Sequence, residues 1–222
     1  MICIIGAMEE EVSYLKENMK LEETLNRSSF TFFLGEIYSK KIVVVKSGIG
    51  KTAAAVCTQL AIDNFSPSVI INTGVAGALN SSYEIGEVVI GRDVLYHDVD
   101  VTAFGYEKNQ IPGASTIFNS NEGLCLLAQK HGGKLGKIAT GDIFVSEDSL
   151  KEKIFFQTKA DLVDMESAAI AHTSTLNKID FLIIRAVSDK AVNNSNVDFK
   201  KNLEIAVQSA IKITKEVIKS VR

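Results

Sequence analysis

Residues 181–190 read Phe-Leu-Ile-Ile-Arg-Ala-Val-Ser-Asp-Lys, a run that is apolar from its start except for one arginine. Apolar residues on both faces predict an interior strand of a sheet that helices cover. Arg185 would be buried there, so it needs a carboxylate or carbonyl partner to offset its desolvation. The strand should end at Ser188 and Asp189, at the carboxyl edge where open α/β sheets bind ligands. Asp189 is then either an acid whose pKa burial raises or the cap of a turn or helix.

Strand-like and helix-like segments alternate through the rest of the chain. Further strands are predicted over residues 2–6, 30–38, 41–46, 69–72, 87–95, 136–139 and 161–163. Helices are predicted over residues 8–19, 53–65, 122–131, 149–157 and 167–177, with a last helix after Asp198. The second and third strands should form an antiparallel pair that turns at Ser39 and Lys40. This order predicts one α/β domain over residues 1–222, a three-layer αβα sandwich with a central mixed, twisted sheet.

Composition narrows the class of protein. The 222 residues are 46% hydrophobic and 23% charged, which is ordinary for one globular domain. A net charge of −3 argues against a nucleic-acid partner or an anionic membrane. Cys3, Cys57 and Cys125 are odd in number, far apart and without C-x-x-C spacing, which predicts buried thiols in a reducing compartment and no disulfide framework. The start lacks a basic segment, and no apolar run approaches the roughly 20 residues of a membrane span, so the expectation is a cytoplasmic protein.

Small and polar residues recur where the predicted strands end. A phosphate loop is excluded at Gly50-Lys51-Thr52, because the motif needs a glycine where this chain has Val45. A dinucleotide motif is absent after the first strand, where three glutamates would repel an anion. The three histidines show no ligand spacing, so neither a metal nor a cofactor is predicted. The strand-end segments are Gly6-Ala7-Met8, Ser47-Gly48-Ile49-Gly50, residues 73–77, residues 140–144, Asp164-Met165-Glu166 and Ser188-Asp189.

Several of these segments, taken together, resemble the 5′-methylthioadenosine/S-adenosylhomocysteine nucleosidases. The similarity covers essentially the whole chain, in order and without large gaps, and it implies a nucleoside phosphorylase/hydrolase-like fold. The segments that carry it are Met8-Glu9-Glu10-Glu11 after Gly6-Ala7, Lys46-Ser47-Gly48-Ile49-Gly50-Lys51, Ile70-Ile71-Asn72-Thr73-Gly74, residues 96–106 (Tyr-His-Asp-Val-Asp-Val-Thr-Ala-Phe-Gly-Tyr), Asp164-Met165-Glu166 and Arg185-Ala186-Val187-Ser188-Asp189.

The resemblance implies hydrolysis of the bond between adenine and a 5′-thio-substituted ribose, in methionine salvage and the removal of methyl-cycle by-products. Methylthioadenosine and S-adenosylhomocysteine are the implied substrates, and 5′-deoxyadenosine is a further one. Such a reaction needs an acid for the departing base, a base for water and a clamp on the sugar. By resemblance Asp189 is the acid, oriented by Ser188, Glu11 is the base, and Glu166 binds the ribose hydroxyls. The pKa of Asp189 should be raised, whereas the pKa of Glu11, which lies beside Arg185, should be held lower.

The remaining implied site residues line the substrate pocket. Met8 and Met165 would pack on the sugar, Phe144 would stack on adenine, and the backbone of Val145 would read the edge of the base. Ile49 and Phe199 would line the apolar 5′ pocket. The resemblance also places Val75, Ala76 and Gly77 among the substrate-binding residues. One departure is Val75, because the family commonly has a small hydroxyl residue there, close to the ribose and the catalytic water.

The long polar segment 98–115 predicts an interface. By resemblance its apolar residues close the partner's 5′ pocket across a homodimer, although they could instead pack on their own subunit. These residues are Val101, Phe104, Tyr106 and Pro112.

Three other functions remain open at this point. They are a purine nucleoside phosphorylase, an aminofutalosine nucleosidase and a non-catalytic nucleoside-binding protein. A phosphorylase needs arginines over an anion site, and Glu9 to Glu11 would oppose one. Mere binding would not require an acid opposite a base.

Overall fold

A computed structural model describes residues 1–193 and 195–221. The strands are β1 (Ile2–Gly6), β2 (Lys20–Arg27), β3 (Phe30–Ile37), β4 (Lys40–Lys46), β5 (Val69–Ala78), β6 (Val88–Tyr96), β7 (Phe118–Asn119), β8 (Lys134–Thr140), β9 (Leu162–Asp164) and β10 (Asp180–Asp189). The helices are α1 (Glu9–Glu17), α2 (Lys51–Phe65), α3 (Glu122–Lys130), α4 (Asp148–Thr158), α5 (Ser167–Leu176) and α6 (Ser195–Ser220), with a single 3₁₀ turn at Thr102–Phe104.

The described strands form one mixed sheet, as the sequence predicts. Its order is β10-β6-β8-β9-β5-β1-β4-β3-β2, with β7 paired to β6. β10 also pairs with β5 in parallel, from Asp180 opposite Val69 to Asp189 opposite Gly77. Five strands therefore close into a ring, β5-β10-β6-β8-β9, and the other strands extend from it. Because the ring closes, the ends of β5, β9 and β10 lie next to one another.

The sheet buries one hydrophobic core on each face, because alternate residues of a strand point to opposite sides. On β1, Cys3 and Ile5 pack with α2 and α5. Ile2 and Ile4 face the other way, toward the helices α1 and α6. The mixed sheet between helical layers is confirmed. The three cysteines are buried free thiols.

The two-residue strand β7 was not predicted, and two longer strands differ from their predicted form for opposite reasons. β2 was not predicted, because it is an edge strand whose side chains are almost all exposed and so carry no hydrophobic pattern. β5 was predicted to end at residue 72, yet it continues to Ala78 through the small residues that were expected to follow it. Every residue of β5 is buried, so these small side chains mark close packing within a strand.

The remaining corrections are local. The turn between β3 and β4 lies at Tyr38 and Ser39, which both have positive φ, as in two-residue hairpin turns, and not at Ser39 and Lys40. Helix α6 is already formed at Ser195, ahead of the predicted start after Asp198. Segment 98–115 has little regular structure beyond its 3₁₀ turn, as predicted.

Candidate active site

A cavity of about 200 Å³ opens where β1, β4, β5, β9 and β10 end. Phe144 reaches it from the segment after β8, and Phe199 reaches it from α6. The predicted site residues that line it are Met8, Glu11, Ile49, Val75, Ala76, Gly77, Phe144, Met165, Glu166, Ser188, Asp189 and Phe199. Segments that lie far apart in the chain are thus brought together at one end of the sheet.

Glu11 is the one glutamate of the first turn of α1 that points inward. It is 3% exposed, while Glu9 and Glu10 face solvent. Its Oε2 accepts the N–H groups of Ala7 at 2.6 Å and Met8 at 3.0 Å, so the carboxylate closes the start of the helix. Its Oε1 accepts the N–H of Val75 at 3.0 Å. Backbone donors therefore fix both oxygens at the wall of the cavity.

Burial raises the pKa of Glu11, although the charge of Arg185 and the backbone N–H groups oppose the shift. The expectation that Glu11 would be held lower is therefore wrong in direction. The physical reason is that the carboxylate lies in the protein interior, where desolvation of its charge outweighs the attraction of one guanidinium.

Arg185 is fully buried behind the cavity, beside Glu11. Its Nε donates to Asp164 Oδ2 at 2.7 Å, and its Nη2 donates to Asn72 Oδ1 at 2.7 Å. Nη2 also lies 3.6 Å from Glu166 Oε2. The arginine that interrupts the strand thus has the carboxylate partners that its burial requires.

Gly74 leaves the space for this arrangement. A Cβ at that position would overlap both Arg185 Nη1 and Glu11 Oε1. A glycine inside a buried strand indicates a close approach by another group. Here the approaching groups are the guanidinium and the carboxylate of the site.

Glu166 follows β9 and is 6% exposed. Its Oε1 accepts the N–H of Gly50 at 2.9 Å. Burial raises the pKa of this carboxyl to about 7, since it outweighs the charge of Arg185, and Asp164 and Glu11 add to the rise. Glu166 is thus a buried carboxyl group that contacts the main-chain N–H of Gly50 on one side and the guanidinium of Arg185 on the other.

Asp189 ends β10 and is 2% exposed. Its Oδ1 accepts the N–H of Ala191 at 2.9 Å, and its Oδ2 lies 2.9 Å from the hydroxyl of Ser188. That hydroxyl is also 3.2 Å from the carbonyl of Ala76, so it fixes the plane of the carboxyl group. Burial raises the pKa of Asp189 despite these hydrogen bonds, as predicted for an acid at the mouth of a buried strand.

The other walls of the cavity are apolar. The rings of Phe144 and Phe199 meet edge to face, with centroids 6.0 Å apart. Ile49 covers one side and is 61% exposed, so the cavity is open there. Val75 lies close to Glu11, to which it offers its main-chain N–H and no side-chain hydroxyl.

Besides Arg185, which lies behind the cavity, five predicted residues lie outside it. Val145 is buried and borders a small void of about 30 Å³ next to Phe144. The other four belong to segment 98–115 and do not reach the cavity of their own chain. Among them Phe104 is 82% exposed. These four are Val101, Phe104, Tyr106 and Pro112.

The sequence did not single out the polar groups that support the site. Asp164 lines the cavity and binds Arg185, while Ser167 donates its hydroxyl to Asp164, and Asn72 accepts from Arg185. The sequence could have indicated Asp164, because a buried arginine requires a carboxylate partner and Asp164 ends a strand of the same sheet. Within residues 1–193 and 195–221 there is no group of three His, Cys, Asp or Glu residues able to hold a metal ion. No helix in these ranges is long and apolar enough to cross a membrane.

The fold and the site define the class of this protein. A family model described as the phosphorylase superfamily matches residues 1–219. The 5′-methylthioadenosine/S-adenosylhomocysteine nucleosidase of Staphylococcus carnosus is 44% identical over 227 residues, covering 99% of this chain and all of the relative. This chain belongs to the 5′-methylthioadenosine/S-adenosylhomocysteine nucleosidase family.

Solved structures of this and a related family share the fold. The nucleosidase of Neisseria meningitidis, in complex with methylthio-immucillin-A, has a TM-score of 0.97 and 37% identity, covering 99% of each chain. The futalosine hydrolase of Helicobacter pylori has a TM-score of 0.95 and 30% identity, covering 99% of this chain and 97% of the other. The predicted nucleoside phosphorylase/hydrolase-like fold is confirmed.

Proposed function

We propose that this protein hydrolyses the N-glycosidic bond of 5′-methylthioadenosine and S-adenosylhomocysteine, releasing adenine and a 5-thio-substituted ribose. The observation that carries the proposal is the convergence of buried carboxylates on one cavity: Asp164 is paired with Arg185, and Glu11, Glu166 and Asp189 are the three proposed to act on the substrate. The reaction leaves positive charge on the sugar and negative charge on the base. Three carboxylates in different environments supply an acid, a base and a counter-charge for it.

Asp189 is the proposed acid. A carboxyl group with a raised pKa keeps its proton nearer neutral pH and can deliver it to N7 of the departing adenine. The adenine then leaves as a neutral molecule instead of an anion. Ser188 holds the carboxyl plane while the proton moves.

Glu11 is the proposed base for the attacking water. Its raised pKa helps this role, because a carboxylate whose conjugate acid is weaker takes a proton from water more readily. Three backbone N–H groups keep the two oxygens in place as the charge changes. Val75 contributes one of these donors, so the missing hydroxyl does not remove the support of the base.

Glu166 is the proposed clamp on the ribose hydroxyls. Its negative charge also favours the cationic sugar that forms as the bond breaks. Burial would otherwise keep this group protonated near pH 7, and Arg185 together with the Gly50 N–H favours the ionised form. Met8 and Met165 pack around the sugar position with adaptable side chains.

The direct test is phosphate-independent release of adenine. Purified protein is mixed with methylthioadenosine in phosphate-free buffer, and the ultraviolet change is followed together with chromatography of the products. Adenine and methylthioribose are expected, at a rate that added phosphate does not change. Phosphate-dependent turnover with a sugar phosphate as product would indicate a phosphorylase instead. Binding without adenine release would indicate a binding protein, and faster release from aminofutalosine would assign the site to that nucleoside.

The lining of the cavity favours water over phosphate as the attacking group. Among the described residues, the cavity is lined by Glu11, Asp164, Glu166 and Asp189, with no lysine or arginine. A phosphate dianion there would meet carboxylates without a facing cation, which is unfavourable. The nearby guanidinium of Arg185 is already paired with two of these carboxylates.

The apolar wall predicts a preference for a 5′-methylthio group over a 5′-hydroxyl. Burying one methyl group contributes about 0.8 kcal/mol, or roughly four-fold in kcat/KM. Ile49→Ser should reduce the preference for methylthioadenosine over adenosine by about that factor. Because Ile49 is largely exposed, the unfolding temperature should stay unchanged. Val56→Ser, on the outer face of α2, is the matched control and should leave the ratio as it is. An unchanged ratio in Ile49→Ser would remove Ile49 from the 5′ pocket.

We further propose a homodimer in which segment 98–115 closes the partner's 5′ pocket. The support is a large apolar side chain, Phe104, that is 82% exposed at a turn of this segment. Exposed apolar groups on an otherwise polar loop indicate an interaction site. The open side of the cavity at Ile49 offers a surface of the same character.

Phe104→Asp should therefore give a monomer by light scattering and raise KM for methylthioadenosine. Binding of free adenine should be unaffected, because adenine does not reach the 5′ pocket. Phe156→Asp replaces a similarly exposed aromatic residue on α4 and should remain dimeric. A fully active wild-type monomer at assay concentration would contradict the dimer.

A further inference from the structure

Lys51 connects three loops around the cavity. Its Nζ lies 2.6 Å from Asp98 Oδ2, which follows β6, and 3.8 Å from Asp142 Oδ2, which follows β8. Its own N–H donates to Asp142 Oδ1 at 2.8 Å. The N–H of Asp142 donates to Asp98 Oδ2 at 3.0 Å, which closes the network. A network with main-chain bonds on two sides is better ordered than an isolated surface ion pair.

The position of this lysine in its helix is unfavourable on local grounds. Lys51 is the first residue of α2, where the helix dipole disfavours a positive charge. The N-cap residue Gly50 has no side chain to cap the helix, and no acidic residue stands in the first turn. Asp142 takes the place of a cap by accepting the Lys51 N–H from another loop. The contacts that favour a lysine at this position are therefore those with Asp98 and Asp142, outside its own helix.

The residues just before Lys51 belong to the site. Gly50 has a φ of 97°, and its N–H donates to Glu166 Oε1 at 2.9 Å. Ile49 lines the cavity on its open side. Two residues after Asp142, Phe144 forms part of the apolar wall. The Lys51 network therefore lies directly behind the main-chain donor of Glu166 and behind two walls of the cavity.

We propose that Lys51 is a positioning residue, which through Asp98 and Asp142 holds the loop between β4 and α2 so that the Gly50 N–H stays on Glu166. This inference rests on the proposed function of Glu166 as the clamp on the ribose hydroxyls. Lys51 does not touch the nucleoside. It acts through the backbone of Gly50, and its removal loosens the clamp without removing a group that contacts the substrate.

The pH dependence of the reaction should report this connection. Glu166 faces Arg185, Asp164 and Glu11, and its remaining partner is the Gly50 N–H. Burial raises the pKa of Glu166, and the Gly50 N–H lowers it by stabilising the ionised form. If the Gly50 N–H moves away, the pKa rises further. The acidic limb of kcat/KM should then move to higher pH.

The experiment compares Lys51→Met with Lys51→Arg and with Lys134→Met. Loss of one hydrogen bond of ordinary strength should raise KM for methylthioadenosine by roughly three- to ten-fold. kcat should change by less than about two-fold at a pH above the acidic limb, where Glu166 is still ionised. Lys51→Arg keeps the charge and should restore most of the affinity. Lys134 forms an exposed pair with Glu87 on another part of the sheet, so its loss should leave KM and the pH profile unchanged.

Two further measurements separate positioning from general stability. The dissociation constant of free adenine should stay at the wild-type value in Lys51→Met, because adenine lacks the ribose that Glu166 binds. Asp98→Asn and Lys51→Met should be non-additive, with the double variant no worse than the poorer single one. A lower unfolding temperature with unchanged KM and unchanged pH limb would overturn the proposal and leave a structural ion pair.

The outcome for Lys51 is independent of the outcome for the reaction itself. If the wild type releases no adenine, the proposed function fails, whatever the variants do. The affinity of a non-hydrolysable methylthioadenosine analogue, compared with that of adenine, still reports whether Lys51 supports the sugar clamp. Equal affinity of Lys51→Met and wild type for the analogue would overturn the inference about Lys51 and leave the proposed function standing.

Discussion

The Asp189→Asn variant is expected to release adenine from methylthioadenosine about 10²- to 10⁴-fold more slowly than the wild type. The amide has the size and shape of the carboxyl group, but it cannot give up a proton to N7 of the departing base. The fall should appear in kcat, while nucleoside binding stays close to the wild-type value. Single-turnover kinetics and calorimetric titration with a non-hydrolysable analogue measure the two quantities separately.

The same variant should not lose stability at neutral or alkaline pH. The folded-state pKa of Asp189 is raised, so its contribution to the stability of the wild type is full below the ordinary value of about 3.9. That contribution is lost as the pH rises through the folded-state value, because an ionised carboxylate is then buried. Asparagine carries no such charge. The unfolding temperature of Asp189→Asn at pH 8 should therefore equal or exceed that of the wild type.

Asp180→Asn is the matched control for this experiment. Asp180 lies at the opposite end of β10 and is exposed, so its replacement should leave kcat unchanged. Near-normal turnover by Asp189→Asn would show that Asp189 only caps the turn to Ala191. The assignment of the acid would then be wrong.

The strand that carries Asp189 could be predicted because its sequence is unambiguous. A run of large apolar residues has no amphipathic alternative, and a buried arginine within it demands acidic partners. The identity of these acidic partners could not be predicted in the same way. Asp164 meets Arg185 only because β9 and β10 join the same ring of strands, and pairing between distant segments is not written in either segment.

β5 shows why the centre of the site was harder to predict. Residues 73–78 are small, and small residues between larger elements normally indicate a turn. In the structure they form a strand. Because Gly74 has no side chain, the side chains of Glu11 and Arg185 pack directly against the backbone of this strand. Gly74 is required by packing within the strand, because a side chain there would overlap Arg185 and Glu11. Only the three-dimensional neighbours distinguish the two meanings of the same residue.

The pKa of Glu11 illustrates a similar limit. A neighbouring arginine is visible by resemblance and suggests a lowered value. The raised value follows from complete burial, a property of the whole fold rather than of the motif. The division of roles between Glu11 and Asp189 therefore does not come from opposite pKa shifts. It follows from position, because Glu11 lies at the start of α1 with three backbone donors, and Asp189 lines the same cavity from the end of β10.

Glu11→Gln is expected to lower kcat by about 10²- to 10⁴-fold, since the amide cannot accept a proton from water. Binding of the nucleoside should persist, because Glu166 and the apolar walls remain. The change also costs stability. The amide oxygen can accept from Ala7 and Met8, but the NH₂ group then faces the Val75 N–H. One buried donor without an acceptor destabilises the fold by about 1–3 kcal/mol.

The pH profile of this variant separates two acidic groups that the wild type combines. Glu11 and Glu166 both have raised pKa values and influence each other, so the acidic limb of the wild-type kcat/KM belongs to the pair. In Glu11→Gln the residual activity should keep a single limb from Glu166. That limb should lie at lower pH than in the wild type, because the negative charge of Glu11 no longer opposes ionisation of Glu166. A residual limb that stays at the wild-type position would show that the two carboxylates do not interact across the cavity. Near-normal turnover would exclude Glu11 as the base that activates water.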